Sequence, residues 1–131
     1  MKQTMDFLNT AGTYYLATAD GDQPRVRPIG FVMEWEGRLA FCTANTKDMY
    51  KQMVANPKVE ICCYDGKGNT LRISGKADFV TSAEAQRKAL ETMPMLNDMY
   101  SVSDGVFEVF CLDGGKAVCS DMGGNVTEMK I

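Results

Sequence analysis

The chain has 131 residues and a formal net charge of −3 at neutral pH. Its length favours one domain built around a single core. Its mild negative charge argues against nucleic acid as a partner, because binding a phosphate backbone requires many cationic contacts. No apolar run approaches the roughly 18 residues of a membrane span, and the N-terminal residues do not read as a signal peptide. We therefore expect a cytoplasmic protein without a membrane partner.

The composition also restricts the chemistry that the side chains could perform. The chain contains no histidine, and its five cysteines are irregularly spaced without a CxxC pair. This excludes histidine acid–base catalysis, a Ser-His or Cys-His nucleophile pair, and His-ligated zinc or haem. No metal site is predicted, and an enzyme of this composition would depend on a bound cofactor.

The first half of the chain predicts a short helix followed by hairpin-linked strands. The helix covers 4–11, and the strands cover 13–19, 24–35 and 38–44. The intervening sequences, DGDQ and EG, are typical of tight turns. A second helix at about 46–55 is predicted to be capped by Asn45 or Thr46. It should end at Asn56, because a residue before proline disfavours the helical backbone.

The second half predicts two more strands, a helix and a final hairpin. The strands cover 58–64 and 70–80, and the helix covers 82–93 with Ser82 as its cap. The hairpin is predicted from 107–113 and 116–120, with its turn at the intervening Gly-Gly pair. Strands with turn signals about every ten residues favour an antiparallel barrel.

The first candidate functional segment is RVRPIG, residues 25–30. Alternation places Arg25 and Arg27 on one face of a strand, about 7 Å apart. Pro28 removes a ladder donor, and Gly30 permits close backbone approach. One interpretation is a strand whose backbone contacts a ligand, and the other is an edge strand with two surface arginines.

The second candidate segment is CTANTKDMYKQM, residues 42–53, where a strand leads into a helix. A helix N-terminus prefers anions, yet the first turn carries Lys47. One interpretation is ordinary capping with Lys47 in solvent. The other is a phosphate held by backbone N–H groups, with Lys47 and, one turn later, Lys51 as counter-charges. Ordinary capping accounts for Asp48, whose carboxylate suits the first turn of a helix, whereas the phosphate interpretation does not explain an acid so close to the anion.

Taken in order, four segments resemble the FMN-binding split-barrel superfamily, which includes pyridoxamine 5′-phosphate oxidase. They are YYLATADGDQPRVRPIGF, GRLAFCTANTKDMYKQMVANPKVEICCYD, LRISGKADF and FEVFCLDGGKAVCS. The resemblance covers roughly residues 13–120 and depends on the order and spacing of the segments. It implies a mainly β fold, a six-stranded antiparallel split β-barrel with small flanking helices, as a single domain over 1–131. Members are typically homodimers that bind two FMN molecules at the subunit interface.

The resemblance also implies which residues contact FMN, carried over by their position in the matching segments. Those that would border the flavin ring and ribityl chain are Arg27, Pro28, Ile29, Cys42, Thr43 and Thr70. Those that would hold the phosphate are Arg25 or Arg27, together with Asn45, Thr46, Lys47 and Lys51. The residues that a second subunit would add are not assigned.

This chain differs from members of the superfamily in three features, and these differences limit the activities that we expect of it. Many relatives have two adjacent basic residues where this chain has Lys47 followed by Asp48. The arginine-rich C-terminal segment of pyridoxamine 5′-phosphate oxidase has no counterpart in GGNVTEMKI, so pyridoxamine oxidation is not expected. The nitroimidazole-reductase-like branch often carries a histidine near the flavin, and this chain has none.

The resemblance therefore implies an FMN-dependent oxidoreductase of unassigned small-molecule substrate, with a nicotinamide or another electron donor. No catalytic residue is assigned, and the candidates for a proton donor are Tyr14, Tyr15 and Tyr100. Two alternatives stay open. One is a non-catalytic flavin-binding carrier or sensor module, and the other is a deazaflavin-dependent reductase.

Overall fold

A computed structural model describes all residues from 1 to 131. The helices are α1 (Lys2–Ala11), α2 (Asp48–Ala55) and α3 (Ala83–Thr92), and a 3₁₀ helix spans Pro94–Asp98. The strands are β1 (Tyr14–Asp20), β2 (Gln23–Ile29), β3 (Met33–Trp35), β4 (Arg38–Ala44), β5 (Lys58–Tyr64), β6 (Thr70–Phe79), β7 (Phe107–Ser120) and β8 (Val126–Met129). None of these helices combines the length and the apolar character needed to cross a membrane.

The strands form one antiparallel sheet in the order β2-β1-β5-β6-β7-β4-β3, with β8 paired to β7. The strands β2 and β3 are joined by residues 30–32 but do not pair with each other, so the barrel stays open between them. This is the split β-barrel with small helices that the sequence predicts. It has eight strands, whereas six were expected.

The predicted long strand at 24–35 is wrong, because the chain leaves the sheet after Ile29. The strand β2 lies at one edge of the sheet, where the missing N–H of Pro28 is tolerated. Phe31 and Val32 are both buried, but in different apolar clusters. The chain therefore crosses between the two clusters here and re-enters the sheet as β3.

The predicted hairpin turn at Gly114-Gly115 is also wrong, because β7 runs unbroken from Phe107 to Ser120. Its pairing with β6 shifts register at this point, between Ser74 and Lys76, which is the signature of a β-bulge. A Cβ atom on Gly75, opposite the bulge, would lie 3.3 Å from the Asp113 carbonyl oxygen. The glycines therefore allow two strands to approach closely, and the true turn follows Ser120.

Two apolar clusters fix the position of the functional segments. The larger cluster fills the barrel, and the smaller one lies between the sheet and α3. Strand β4 separates them, since Phe41 points into the barrel cluster and Cys42 packs against the outer one. Met49 and Met53 insert from α2 into the barrel cluster. These contacts hold the start of α2 next to the end of β4.

Candidate functional site

The junction between β4 and α2 differs from the predicted cap. Lys47 is itself the N-cap residue, with extended backbone angles (φ −87°, ψ 150°), and no side chain caps the helix. The Asn45 side chain instead donates to the Gly105 carbonyl oxygen at 2.8 Å and to the Glu108 carboxylate at 3.3 Å. Asn45 therefore anchors the junction to the start of β7. The capping roles predicted for Asn45 and Thr46 are wrong.

A first cleft, of about 590 Å³, lies where the end of β2, the end of β4 and the start of α2 meet. We call it the strand cleft. The predicted FMN contacts that line it are Arg27, Pro28, Ile29, Cys42, Thr43 and Lys47. Its opposite wall comes from the segment after α3 and consists of Met93, Leu96, Met99 and Tyr100.

A second cleft, also of about 590 Å³, lies between the β1–β2 hairpin and α2. We call it the helix cleft. Arg25 and Lys51 line it together with Gln52. Arg27 and Asp48 line both clefts, so the two spaces adjoin. Only three of the ten residues that line the helix cleft are hydrophobic, whereas eight of the 14 that line the strand cleft are. The combined space is therefore apolar at the strand-cleft end and charged at the helix-cleft end.

Arg27 is held in place by hydrogen bonds to β1 and α2. Its Nη1 donates to the Thr18 hydroxyl at 2.7 Å and to the Leu16 carbonyl oxygen at 3.3 Å. Its Nη2 donates to Gln52 Oε1 at 2.8 Å. Burial lowers the pKa of the Arg27 guanidinium, and the Asp48 carboxylate opposes that shift. Asp48 thus favours the charged form of Arg27. Its carboxylate also interacts favourably with the positive end of the helix dipole in the first turn of α2.

Several polar groups around the clefts have no partner within the chain. The Thr43 hydroxyl is buried and makes no hydrogen bond, although a buried polar group without a partner is costly. The ammonium groups of Lys47 and Lys51 make no ion pair with any carboxylate. The first N–H groups of α2 lack intrahelical acceptors, as at any helix N-terminus. This set of donors fits a ligand that carries acceptor atoms and negative charge.

Cys42 is the thiol that lines the strand cleft. Burial raises the pKa of this thiol to about 12, and nearby Lys47 opposes the shift. The thiol therefore remains protonated at neutral pH. Since the thiolate is the nucleophilic form of cysteine, Cys42 is suited to packing against a ligand rather than to attacking one.

Three of the predicted contacts lie outside both clefts. Thr70 is at the start of β6, opposite Tyr64 and Ser120, and it lines neither cleft. Asn45 and Thr46 adjoin Lys47 without lining the space. Within one chain, these three residues therefore do not line the space in which the other predicted FMN contacts lie.

Sequence reasoning missed other residues that the structure brings to the clefts. Gln52 lies four residues after Asp48, so helical spacing alone could have placed it on the same face. No sequence pattern predicts that residues 93–100 form a wall of the strand cleft, because this wall depends on contacts between segments distant in the sequence.

A family model described as pyridoxamine 5′-phosphate oxidase matches residues 1–110. The chain belongs to the pyridoxamine 5′-phosphate oxidase family. No functionally curated protein matches the sequence significantly.

Solved structures extend this family assignment. A NimC/NimA family protein from Clostridium acetobutylicum is 42% identical, with a TM-score of 0.92 over 98% of this chain and 93% of that one. A pyridoxamine 5′-phosphate oxidase-related, FMN binding protein from Nostoc punctiforme PCC 73102 is 16% identical, with a TM-score of 0.62 over 99% and 95% of the two chains. A heme binding protein from Mycobacterium smegmatis is also 16% identical, with a TM-score of 0.73 over 95% and 55%. At 16% identity, the latter two structures show only that this chain shares their fold.

Proposed function

We propose that this chain is an FMN-binding oxidoreductase whose cofactor spans the strand cleft and the helix cleft. The observation that carries the proposal is the junction of an apolar cleft with a charged one at the start of α2. FMN has a flat apolar ring at one end and a phosphate at the other, so its polarity matches that of the combined space. Membership of the pyridoxamine 5′-phosphate oxidase family supports the same cofactor.

In this proposal the ring end of FMN occupies the strand cleft. Pro28 and Ile29 supply an apolar border from β2, and Cys42 supplies another from β4. The buried Thr43 hydroxyl would gain the hydrogen-bond partner that it lacks within the chain. Ligand binding would thereby remove an energetic cost that the protein otherwise carries.

The phosphate end would lie toward the helix cleft. Lys51 and Arg25 line that cleft, and Lys47, at the N-cap of α2, lines the adjoining strand cleft. Arg25 is also paired with Asp20 at 3.2 Å on the exposed surface, so the lysines are the free cations. A helix N-terminus and adjacent cations together form a favourable anion site.

Bound FMN would supply the electron-transfer chemistry that the side chains lack. The part of this chain would be to orient the cofactor and to exclude water with the apolar wall of Met93, Leu96 and Met99. The cleft thiol Cys42 is protonated at neutral pH, as its raised pKa requires. The proposal therefore assigns no catalytic residue.

We further propose that the protein is a homodimer with one flavin site per chain near the subunit interface. The outer face of the sheet supports this, because it exposes large apolar side chains beside the site strand β2. They include Tyr15, Val26 and Tyr64, and Tyr15 is the cross-strand neighbour of the cleft residue Pro28. Light scattering coupled to size-exclusion chromatography tests the oligomeric state, and a monomer at all concentrations would contradict it.

The cofactor is tested by purifying the protein, recording its visible spectrum and identifying any released molecule by mass. The proposal predicts a flavin spectrum and the mass of FMN. The mass of a deazaflavin would support the deazaflavin-dependent reductase instead, and a haem spectrum would contradict a flavin site. A colourless protein that does not bind added FMN would overturn the proposal.

Turnover is tested by mixing the flavin-loaded protein anaerobically with NADH or NADPH. Rapid bleaching of the flavin absorbance supports an oxidoreductase with a nicotinamide electron donor. A bound flavin that bleaches with neither nucleotide, nor with any other electron donor tested, favours the carrier or sensor module.

A further inference from the structure

Gln52 occupies the point where three elements meet beside the helix cleft. Its Oε1 accepts from the Thr18 hydroxyl of β1 at 2.5 Å and from Arg27 Nη2 of β2 at 2.8 Å. Thr18 in turn accepts from Arg27 Nη1 at 2.7 Å. Three side chains from β1, β2 and α2 therefore form a closed hydrogen-bonded triangle.

This triangle fixes the orientation of the Gln52 amide group. A guanidinium can only donate hydrogen bonds, so the atom that faces Arg27 has to be the amide oxygen. The amide nitrogen consequently lies on the other side of the group, and it makes no hydrogen bond within the chain. Because Gln52 lines the helix cleft, two N–H donors are available there without an acceptor.

We propose that Gln52 makes this site select the phosphorylated cofactor over its dephosphorylated form. Its Nε2 group donates to the anionic end of the ligand in the helix cleft, while its Oε1 holds Arg27. The inference rests on the proposed function, since it assumes a flavin in the joined clefts. It adds a residue that discriminates FMN from riboflavin, which has the same ring without the phosphate.

The charges around the cleft explain why an uncharged donor suits this position. Cations already line the cleft at Arg25, Arg27 and Lys51. Asp20 and Asp48 lie on its opposite sides and disfavour an anion. An amide adds hydrogen-bond donors to this mixed field without a further charge, and its oxygen meanwhile satisfies the partly buried guanidinium.

The deciding variant is Gln52→Glu in the full-length protein. A carboxylate can still accept from Arg27 and Thr18, so it preserves the triangle. It replaces the two N–H donors with a second acceptor oxygen and adds negative charge to the cleft. Dissociation constants for FMN and for riboflavin are measured by the quenching of flavin fluorescence, and the melting temperature is measured without flavin.

We expect the wild-type protein to bind FMN more tightly than riboflavin. Gln52→Glu should weaken FMN binding by about tenfold or more, since a lost charge-assisted hydrogen bond has that effect. Riboflavin binding should change by less than about threefold, and the melting temperature should be unchanged or higher. Gln52→Leu removes both roles, so it should lower the melting temperature and the preference for FMN together.

The matched control is Val54→Glu, which adds the same charge to the same helix. Val54 is 59% exposed and lines neither cleft, so this variant should keep both affinities near the wild-type values. If Gln52→Glu retains the wild-type preference for FMN, Gln52 is only structural and the inference is overturned. If the wild-type protein binds neither flavin, the proposed function itself fails, which is a distinguishable result.

Discussion

The strand cleft and the helix cleft have equal volumes of about 590 Å³ and share Arg27 and Asp48, yet they differ in chemistry. The strand cleft is lined mainly by apolar side chains and also by Thr43, whose hydroxyl is buried without a partner. The helix cleft is lined mainly by charged and polar side chains. A ligand that is apolar throughout, or charged throughout, would match only one of them. The contrast therefore favours a ligand with one end of each kind.

The two arginines of β2 show the same contrast within one strand. Arg25 makes an exposed ion pair with Asp20, an interaction that contributes little to stability. Arg27, two residues later, joins β2 to β1 and α2 through three hydrogen bonds. Arg25 is thus free to exchange its partner for a ligand, whereas Arg27 is committed to shaping the space between the clefts.

Reversing the charge of the free lysines should have the largest effect. Lys47→Glu should weaken FMN binding by about thirtyfold or more, because it removes a cation and opposes the ligand at the N-terminus of α2. Lys51→Glu, on the helix-cleft side, should weaken it by about tenfold. Both dissociation constants are measured by fluorescence titration.

The control for the lysines is Lys58→Glu, a change of the same kind at an exposed position away from both clefts. It should leave FMN affinity near the wild-type value. Unchanged affinity in Lys47→Glu would mean that the phosphate does not approach the start of α2.

Replacing Thr43 with the isosteric valine should separate stability from binding. The hydroxyl has no partner within the chain, so Thr43→Val should leave the flavin-free protein equally stable or up to about 1 kcal/mol more stable. FMN binding should fall by about five- to tenfold, because the ligand would lose a hydrogen bond. Urea denaturation and fluorescence titration measure the two quantities. A variant that gains stability without losing affinity would show that the hydroxyl does not face the cofactor.

The thiol of Cys42 should produce a smaller effect, at alkaline pH. Burial raises its pKa from 9.0 to about 12 in the folded protein, so above about pH 9 the unfolded chain loses a proton that the folded chain keeps. The stabilising contribution is complete below that pH and is lost as the pH rises toward 12. The free energy of unfolding should therefore decline from pH 9 to 11, by at most about 1.4 kcal/mol per pH unit from this group.

The comparison variant for this pH effect is Cys42→Ala, measured by urea denaturation across the same range. Its packing loss appears equally at pH 7, which serves as the internal control. The variant should show a shallower decline than the wild type above pH 9. Identical slopes would mean that Cys42 titrates no differently in the folded and unfolded chains.

Much of the fold could be predicted from local sequence signals. The turns at DGDQ and EG join strands as expected, and the Ser82 side chain accepts from the Ala85 N–H at the start of α3. The Gly-Gly pair at 114–115 was wrongly predicted to be a hairpin turn, because glycines are common both in hairpin turns and at β-bulges. Only the pairing of β7 with β6 on both sides of the bulge distinguishes the two, and that information is not local.

The candidate site shows a similar division. Pro28, Ile29, Cys42, Thr43 and Lys47 lie together around one cleft, as the order of the segments suggested. The role of Gln52 could not be foreseen, because its partners Thr18 and Arg27 lie 34 and 25 residues away in the sequence. The sequence therefore predicts which strands border the site, and the tertiary contacts determine which side chains remain free to bind.

The most direct test of the joined site is a crystal structure of the protein grown with saturating FMN. One flavin should bind per chain, with its ring in the strand cleft between Pro28 and Thr43. The phosphate should lie in the helix cleft within hydrogen-bond distance of Gln52 and Lys51. A flavin bound elsewhere on the chain, or clefts that stay free of flavin at saturating FMN, would contradict the joined FMN site.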